Sequence, residues 1–183
     1  MKKNNLYKGN PMHKILTTLL VTLVLTLTAQ AKNFSINEGA ISFDAPDGFE
    51  LMSDELIMIK YPKGNPPSHA LINDTTETSI VFDLRGGELP QDDIEKTRMA
   101  YESTYKRLVG GFELKANKTA KIAGQKWAQL EFLSNTVDSQ VYNIMLVTGY
   151  KKQMLIFNFN STLKEFETYE KKFRKSIKSI TLK

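Results

Sequence analysis

The chain has 183 residues, 41% of them hydrophobic and 25% charged, with a net charge of +5, two histidines and no cysteine. That excludes a disulfide-stapled scaffold and the usual zinc and copper sites built on thiolate and clustered imidazole. The positive charge is unevenly placed: Lys2, Lys3, Lys8 and Lys14 precede residue 32 with no acid among them, so the rest carries 21 basic and 20 acidic residues, and the case for a nucleic-acid partner goes with them.

The N-terminal segment reads as an export signal. Its four lysines form a positive start, and Met12 offers a second initiation point. Ile15 to Thr28 is an uncharged run of 14 residues. Ala29-Gln30-Ala31 then supplies small residues before a cleavage point at Lys32. A retained anchor is the competing reading, but a spanning helix needs roughly 20 apolar residues. The expected division is a cleaved signal over 1–31 and a single domain over 32–183. About 150 residues bury roughly 70% of their unfolded surface, enough for a core without disulfides. Export without cysteine points to a bacterial periplasm, with secretion as the alternative.

Phe34 to Ile36 and Ala40 to Asp44 read as short strands, followed by a turn at Pro46-Asp47-Gly48. Leu56 to Tyr61, rich in Ile and Met, reads as a buried strand stopped by Pro62. Lys63 to Ser68 is a loop stiffened by two prolines, and Ser79 to Leu84 alternates as a strand that ends at Gly86-Gly87. A helix follows, with Ile94, Thr97, Tyr101, Tyr105 and Leu108 on one stripe. Asp92, Asp93 and Glu95 stand at its positive end, Lys106 and Arg107 at its negative end, and Gly110-Gly111 stop it.

Thr119 to Ile122 leads into three apolar runs joined by short turns, Lys126 to Leu133, Val141 to Thr148 and Met154 to Phe159, which read as an antiparallel meander. A second helix closes the chain. Thr162 and Glu165 have capping-box spacing, and Phe166, Tyr169, Phe173, Ile177 and Ile180 form its apolar stripe. Lys171, Lys172, Arg174, Lys175 and Lys178, interleaved with Glu167 and Glu170, are expected on its solvated face. The predicted class is α+β: an antiparallel sheet of six or seven strands flanked by two main helices.

The order of these parts, with Phe43-Asp44-Ala45-Pro46-Asp47-Gly48-Phe49, Tyr61-Pro62, Gly124 to Phe132 and Phe173 to Ile180, resembles the PsbP-like superfamily, and within it the bacterial periplasmic DcrB-like branch. The resemblance spans residues 33–180 and rests on turn, core and helix-end positions. It implies a six- or seven-stranded antiparallel sheet with packed helices. It also implies a binding or accessory protein, since the superfamily includes a photosystem II extrinsic subunit, a transport factor that binds a small GTPase, and envelope proteins without a settled activity. It offers no shared catalytic motif.

Candidate chemistry is sparse. His69 beside Ser68 has no nucleophile elbow around it. Oxygen ligands for calcium or manganese could come from Asp44 with Asp47, or from Asp92, Asp93 and Glu95, neither at EF-hand spacing. Gly86-Gly87 and Gly110-Gly111 lie in no phosphate-binding pattern. No cofactor is expected. Tyr61, Asn65, His69 and Arg85 are the candidate partner-binding surface, brought together if the Leu56 and Ile80 strands pair through the proline loop. The expected function is a non-enzymatic envelope protein that binds another envelope protein or component, with no stable membrane span once the signal is removed. A small-molecule or divalent-ion binding module is the alternative, and a hydrolase the third.

Overall fold

The computed structural model describes residues 32–62 and 65–183; the expected signal with Ala29 and Ala31, and the loop residues Lys63 and Gly64, lie outside them. Ten strands and three helices follow one another as β1 (Lys32–Ile36), β2 (Ile41–Ala45), β3 (Glu50–Leu51), α1 (Asp54–Lys60), β4 (His69–Ile72), β5 (Thr78–Gly86), α2 (Ile94–Leu108), β6 (Glu113–Ile122), β7 (Gln125–Asn135), β8 (Gln140–Tyr150), β9 (Gln153–Thr162), α3 (Leu163–Lys178) and β10 (Thr181–Leu182). A turn of 3-10 helix over Gln91–Asp93 leads into α2.

Two antiparallel sheets result. The larger has the order β3-β4-β5-β9-β8-β7-β6 and the smaller β1-β2-β10. The expected α+β class, with a seven-stranded antiparallel sheet, is what the chain adopts. β6 to β9 form an unbroken meander, because each connection between these antiparallel strands is short. Within the large sheet the pairing of β5 with β9 is the long-range joint, running from Thr78↔Ser161 to Gly86↔Gln153, and in the small sheet β10 returns to β2 at Thr181↔Ser42.

Alternation along β9 separates the two faces of the large sheet. Leu155, Phe157 and Phe159 are 0% exposed and belong to the main core. On that side lie the small sheet, whose Phe43 meets Phe82 and Phe157 edge-on at 5.1 and 5.3 Å, and α3, whose Phe173 meets Phe159 at 5.3 Å. Trp127, wholly buried, donates its indole N–H to the Ile122 carbonyl at 3.0 Å. The opposite face carries two separate apolar clusters. One, under α2, contains Ile94, Leu130, Phe132, Met145 and Val147; the other, under α1, contains Met52, Ile57, Ala70 and Ile72.

Three expectations are corrected. Leu56 to Tyr61 is helical: the Ser53 hydroxyl accepts the Leu56 N–H at 3.2 Å, Asp54 and Glu55 occupy the first turn, and Lys60 the last. These end contacts outweigh the strand preference of the two isoleucines. The partner of β5 is therefore β4, a four-residue strand hidden behind the proline loop. Thr162 and Glu165 form no capping box. Thr162 gives its hydroxyl to Glu77 at 3.0 Å, and Glu165 turns to Thr78 and Asn73, pinning the start of α3 to the β4–β5 hairpin. Arg174 departs from the expected solvated face: a third of its side chain stays exposed beside Glu170, but its guanidinium reaches inward to Glu131.

Two glycines are fixed by geometry. Gly48 closes the predicted turn with φ +79°, which an L side chain adopts only with strain. Gly149 lies so close to the segment before α2 that a Cβ there would fall 1.9 Å from the Leu89 carbonyl oxygen.

Candidate functional site

The four residues singled out from the sequence fall on two sides of the sheet. Arg85 donates to the carbonyls of Asn65 and Pro66 at 3.1 and 3.2 Å and pairs with Asp83 at 2.5 Å; Asp83 also accepts from Ser68 at 2.8 Å. Asn65 and Arg85 are thus joined, as a lashing that holds the proline loop against β5. Tyr61 packs on the α1 cluster and its phenol approaches the Ser79 side chain. His69 pairs with Phe82 across the β4–β5 ladder and stacks on its ring at 5.2 Å, which turns it to the α3 side.

The carboxylate groups considered as metal ligands are dispersed. Asp44 accepts from Asn33 at 2.9 Å, and Glu95 is held by Arg98 and Thr119. Among the described residues no three His, Cys, Asp or Glu side chains stand close enough to share an ion. Nor, among them, is any helix long and apolar enough to cross a membrane.

The polar groups buried on the α3 side are mutually satisfied. Glu131, 3% exposed, receives both guanidinium nitrogens of Arg174 at 2.7 Å, the Tyr142 hydroxyl at 2.9 Å and the Gln129 amide. Burial raises its pKa, but the hydrogen bonds and charge of Arg174, with those of Tyr142 and Gln129, outweigh this and hold it below the ordinary value. Burial, then the hydrogen bond to Glu131, pushes Tyr142 up to about 12. Such a closed network anchors α3 and leaves no group free for a ligand.

The other face is different. β9 is the middle strand of seven, yet on the α2 side its residues Met154, Ile156, Asn158, Asn160 and Thr162 are only half-buried. The reason is the placement of the helices. α2 lies over β6 and β7, and its cluster reaches Met145 and Val147 on β8 with Met154 and Ile156 of β9 packed at its edge, while α1 belongs to the cluster on β4 and β5, so the stretch of β9 around Asn158 and Asn160 is the part left between them. What remains is a trough along the central strand. Strands lie about 4.8 Å apart, so its floor from β5 to β8 is roughly 10 Å across.

Register places the floor residues. Asn158 sits between Val81 on β5 and Met145 on β8, and Asn160 between Ser79 and Asn143. On one bank stands Tyr61; on the other Tyr105, whose hydroxyl donates to the Met145 sulfur at 3.2 Å. Burial raises the pKa of both phenols, so they are neutral hydroxyls at physiological pH. The side-chain oxygens of Asn158 and Asn160 are buried and accept no hydrogen bond, whereas Asn143 beside them donates to Ser134, Phe132 and Val141. Beyond Thr162 the trough opens into a cleft of about 530 Å³ lined by Lys60, Glu77, Asp138, Gln140, Val141 and Lys164. The lashing of Arg85 to the proline loop lies at its opposite end. Sequence reading missed this site. The Asn-x-Asn alternation within Phe157 to Asn160 was visible, but an alternating polar side is the ordinary solvent face of a strand until that strand is known to be central.

No protein-family model matches the chain, and no curated protein sequence matches it. Solved structures do. The solution structure of cyanobacterial PsbP (CyanoP) from Synechocystis superposes with a TM-score of 0.58 at 15% identity, over 90% of this chain and 99% of that one. LpqN, a protein involved in cell envelope biogenesis of Mycobacterium tuberculosis, gives 0.55 at 14% identity, over 84% and 90%. A mutant of the protein Mog1 gives 0.56 at 12% identity, over 84% and 96%. At such identities the likeness is one of architecture, and in those terms the chain has the Mog1/PsbP-like fold.

Proposed function

We propose that the chain is exported, is cut before Lys32, and works in the cell envelope as a single-domain, non-catalytic protein that binds another envelope protein through the trough over β9. The observation that carries the reading is the half-buried strip of the central strand between two helices, where Asn158 and Asn160 keep side-chain oxygens without a hydrogen-bond partner. The N-terminal pattern of lysines, apolar run and Ala29-Gln30-Ala31 supports export. The fold shared with LpqN supports an envelope setting, and membership of the DcrB-like branch belongs to the same reading. The sole histidine after residue 32 is engaged by Phe82, and no nucleophile–base pair accompanies the trough, which supports a binding role over a catalytic one.

The test is in-cell photo-crosslinking. A photoreactive residue is placed at Val81 or Ile156 on the floor and, as control, at Glu167 on the outer face of α3. A discrete adduct with an envelope protein from both floor positions and not from Glu167 is the expected result. Adducts from Glu167 alone, or none from the floor, overturn the reading.

A further inference from the structure

We infer that the outer face of α3 seats the domain on an anionic lipid bilayer, a contact separate from the trough. At 3.6 residues per turn, Lys164, Lys171, Lys175 and Lys178 fall within an arc of about 60° and form a stripe about 21 Å long. All four are exposed, and exposed Lys172 flanks them on the side of the small sheet. The acids of α3 do not cancel this charge. Glu165 is turned to Thr78 and Asn73, and Glu170 is paired with Arg174, so Glu167 alone stands at the margin of the stripe. Among the described residues Lys171, Lys172, Lys175 and Lys178 form no ion pair, and Lys164 reaches only Glu77, at 4.0 Å.

Helix electrostatics account for only part of the stripe. Lys175 and Lys178 lie in the last turn, where cations oppose the negative helix end, but Lys164 lies in the first turn, against the positive one. Lys171 and Lys175, one turn apart, repel each other, and so do Lys175 and Lys178. Such a row opposes the helix that carries it, and an anionic surface offsets that cost by bringing counter-charge. The type of charge selects the surface. The one arginine of α3 is turned inward to Glu131, which leaves lysines alone outside. These are point charges on flexible stems, suited to scattered phosphates rather than to forked pairing with a single partner. No aromatic ring stands free among them for a nucleic-acid base to stack on, since Phe166 and Tyr169 are half-buried and Phe173 is buried. Nor is there a groove for a chain segment. The recess beside the stripe, between Lys172 and Lys175 and the turn of Asp44 and Asp47, holds only about 90 Å³. A convex ridge of this kind meets a plane along its whole length.

The path of the chain brings the same face to a membrane. Lys32, the first residue of β1, pairs with Ala45, and Ala45 lines that recess together with Lys172 and Lys175. The segment before Lys32 therefore joins the domain beside the stripe. Its uncharged run from Ile15 ends at Thr28, with only Ala29, Gln30 and Ala31 between. On the export reading that run is in the bilayer when the domain emerges, which sets the stripe next to the lipid headgroups.

Vesicle sedimentation tests the contact. The chain is purified as exported, its first residue is read by mass spectrometry, and it is mixed with phosphatidylcholine vesicles with or without about 30 mol% phosphatidylglycerol. The expected result is about a hundredfold stronger partitioning onto the anionic vesicles in low salt, lost as the ionic strength rises to about 0.5 M. Lys171→Gln/Lys175→Gln lowers that partitioning by about tenfold or more, and Lys171→Arg/Lys175→Arg keeps it. Lys96→Gln/Lys106→Gln removes the same net charge from α2 and leaves partitioning within about twofold. Urea titration shows that all three pairs fold.

Equal partitioning onto both vesicles overturns the inference, and so does an equal loss from the α2 and α3 pairs. Tighter binding to soluble polyglutamate than to the anionic vesicles also overturns it, by assigning the face to an acidic polymer. The two proposals fail separately. Floor crosslinks without anionic partitioning retain the envelope protein at the trough and remove the lipid contact; the reverse outcome retains the lipid contact and removes the trough partner. An uncut chain removes the cleavage before Lys32, while the difference between the α2 and α3 pairs still reads the stripe.

Discussion

Replacing Glu131 by glutamine removes one charge from the network beneath α3 and little else, since the two side chains have the same shape. Glu131 is 3% exposed and receives both forks of Arg174, whereas the Arg174 side chain is 33% exposed. Stripping one partner from a fully buried pair costs about 3–5 kcal/mol. Arg174 can recover part of its hydration and keeps Glu170 at 3.3 Å, which lowers the expectation to about 2–3 kcal/mol. With a urea slope of about 2 kcal/mol per molar, the midpoint falls by about 1 M. The single tryptophan, Trp127, is wholly buried on the same strand and reports the transition by fluorescence. The pH dependence supplies a second reading. The Glu131 pKa is depressed in the folded state, so its contribution is complete above the unfolded value near 4.3 and is lost as pH falls through the lower folded value. The gap between the wild type and Glu131→Gln must therefore be wide at pH 7 and narrow in strong acid. A gap below about 0.5 kcal/mol at pH 7, or one that is the same at both pH values, refutes the account.

Gly149→Ala forces a methyl to within 1.9 Å of the Leu89 carbonyl oxygen, so it should cost at least about 1–3 kcal/mol in the same urea assay; a neutral result shows that the segment before α2 can move aside. Ser53→Ala removes the cap of α1 and should cost about 1 kcal/mol, read as faster amide exchange at the Leu56 N–H; unchanged exchange would mean that the cap contributes nothing. Tyr142 should ionise near pH 12, visible as a late phenolate step in ultraviolet titration that Tyr142→Phe deletes. Because its folded pKa is raised, its contribution holds below the ordinary value of 10.0 and is lost as pH rises toward 12, so the stability gap to Tyr142→Phe should close over that range, and a gap that stays the same speaks against it.

How legible these features were in the sequence depended on whether local signals stood alone. α2 was plain because acids at its start, bases at its end, the apolar stripe and Gly110-Gly111 agreed, and the meander because its turns are short. α1 was misread because four consecutive apolar residues, Leu56 to Ile59, fit a buried strand as well as a helix. The deciding feature was one serine hydroxyl just upstream. Glu165 had the spacing of a capping residue, but Thr78 and Asn73, distant in sequence, compete for its carboxylate in the fold. Arg174 looked like one more solvated lysine neighbour until the sheet brought Glu131 beneath it. Of the candidate surface, Asn65 and Arg85 do meet and Tyr61 stands on the bank of the trough, while the parity of β4 sends His69 to the other side. The trough itself depends on strand order, which is set by non-local pairing and leaves no mark on the periodicity of β9.

The β5–β9 joint also fixes when the molecule can work. The hydrogen bond between Thr78 and Ser161 spans 83 positions of chain, and α2 with the whole of β6 to β8 must be made before it can close. Pairings of that range carry a large loop-closure cost and come late in folding. A chain synthesised or threaded from its N-terminus therefore holds both banks of the trough before it has the bed between them. The face over β9 is then a property of the finished chain alone, and a fragment that stops short of β9 lacks it.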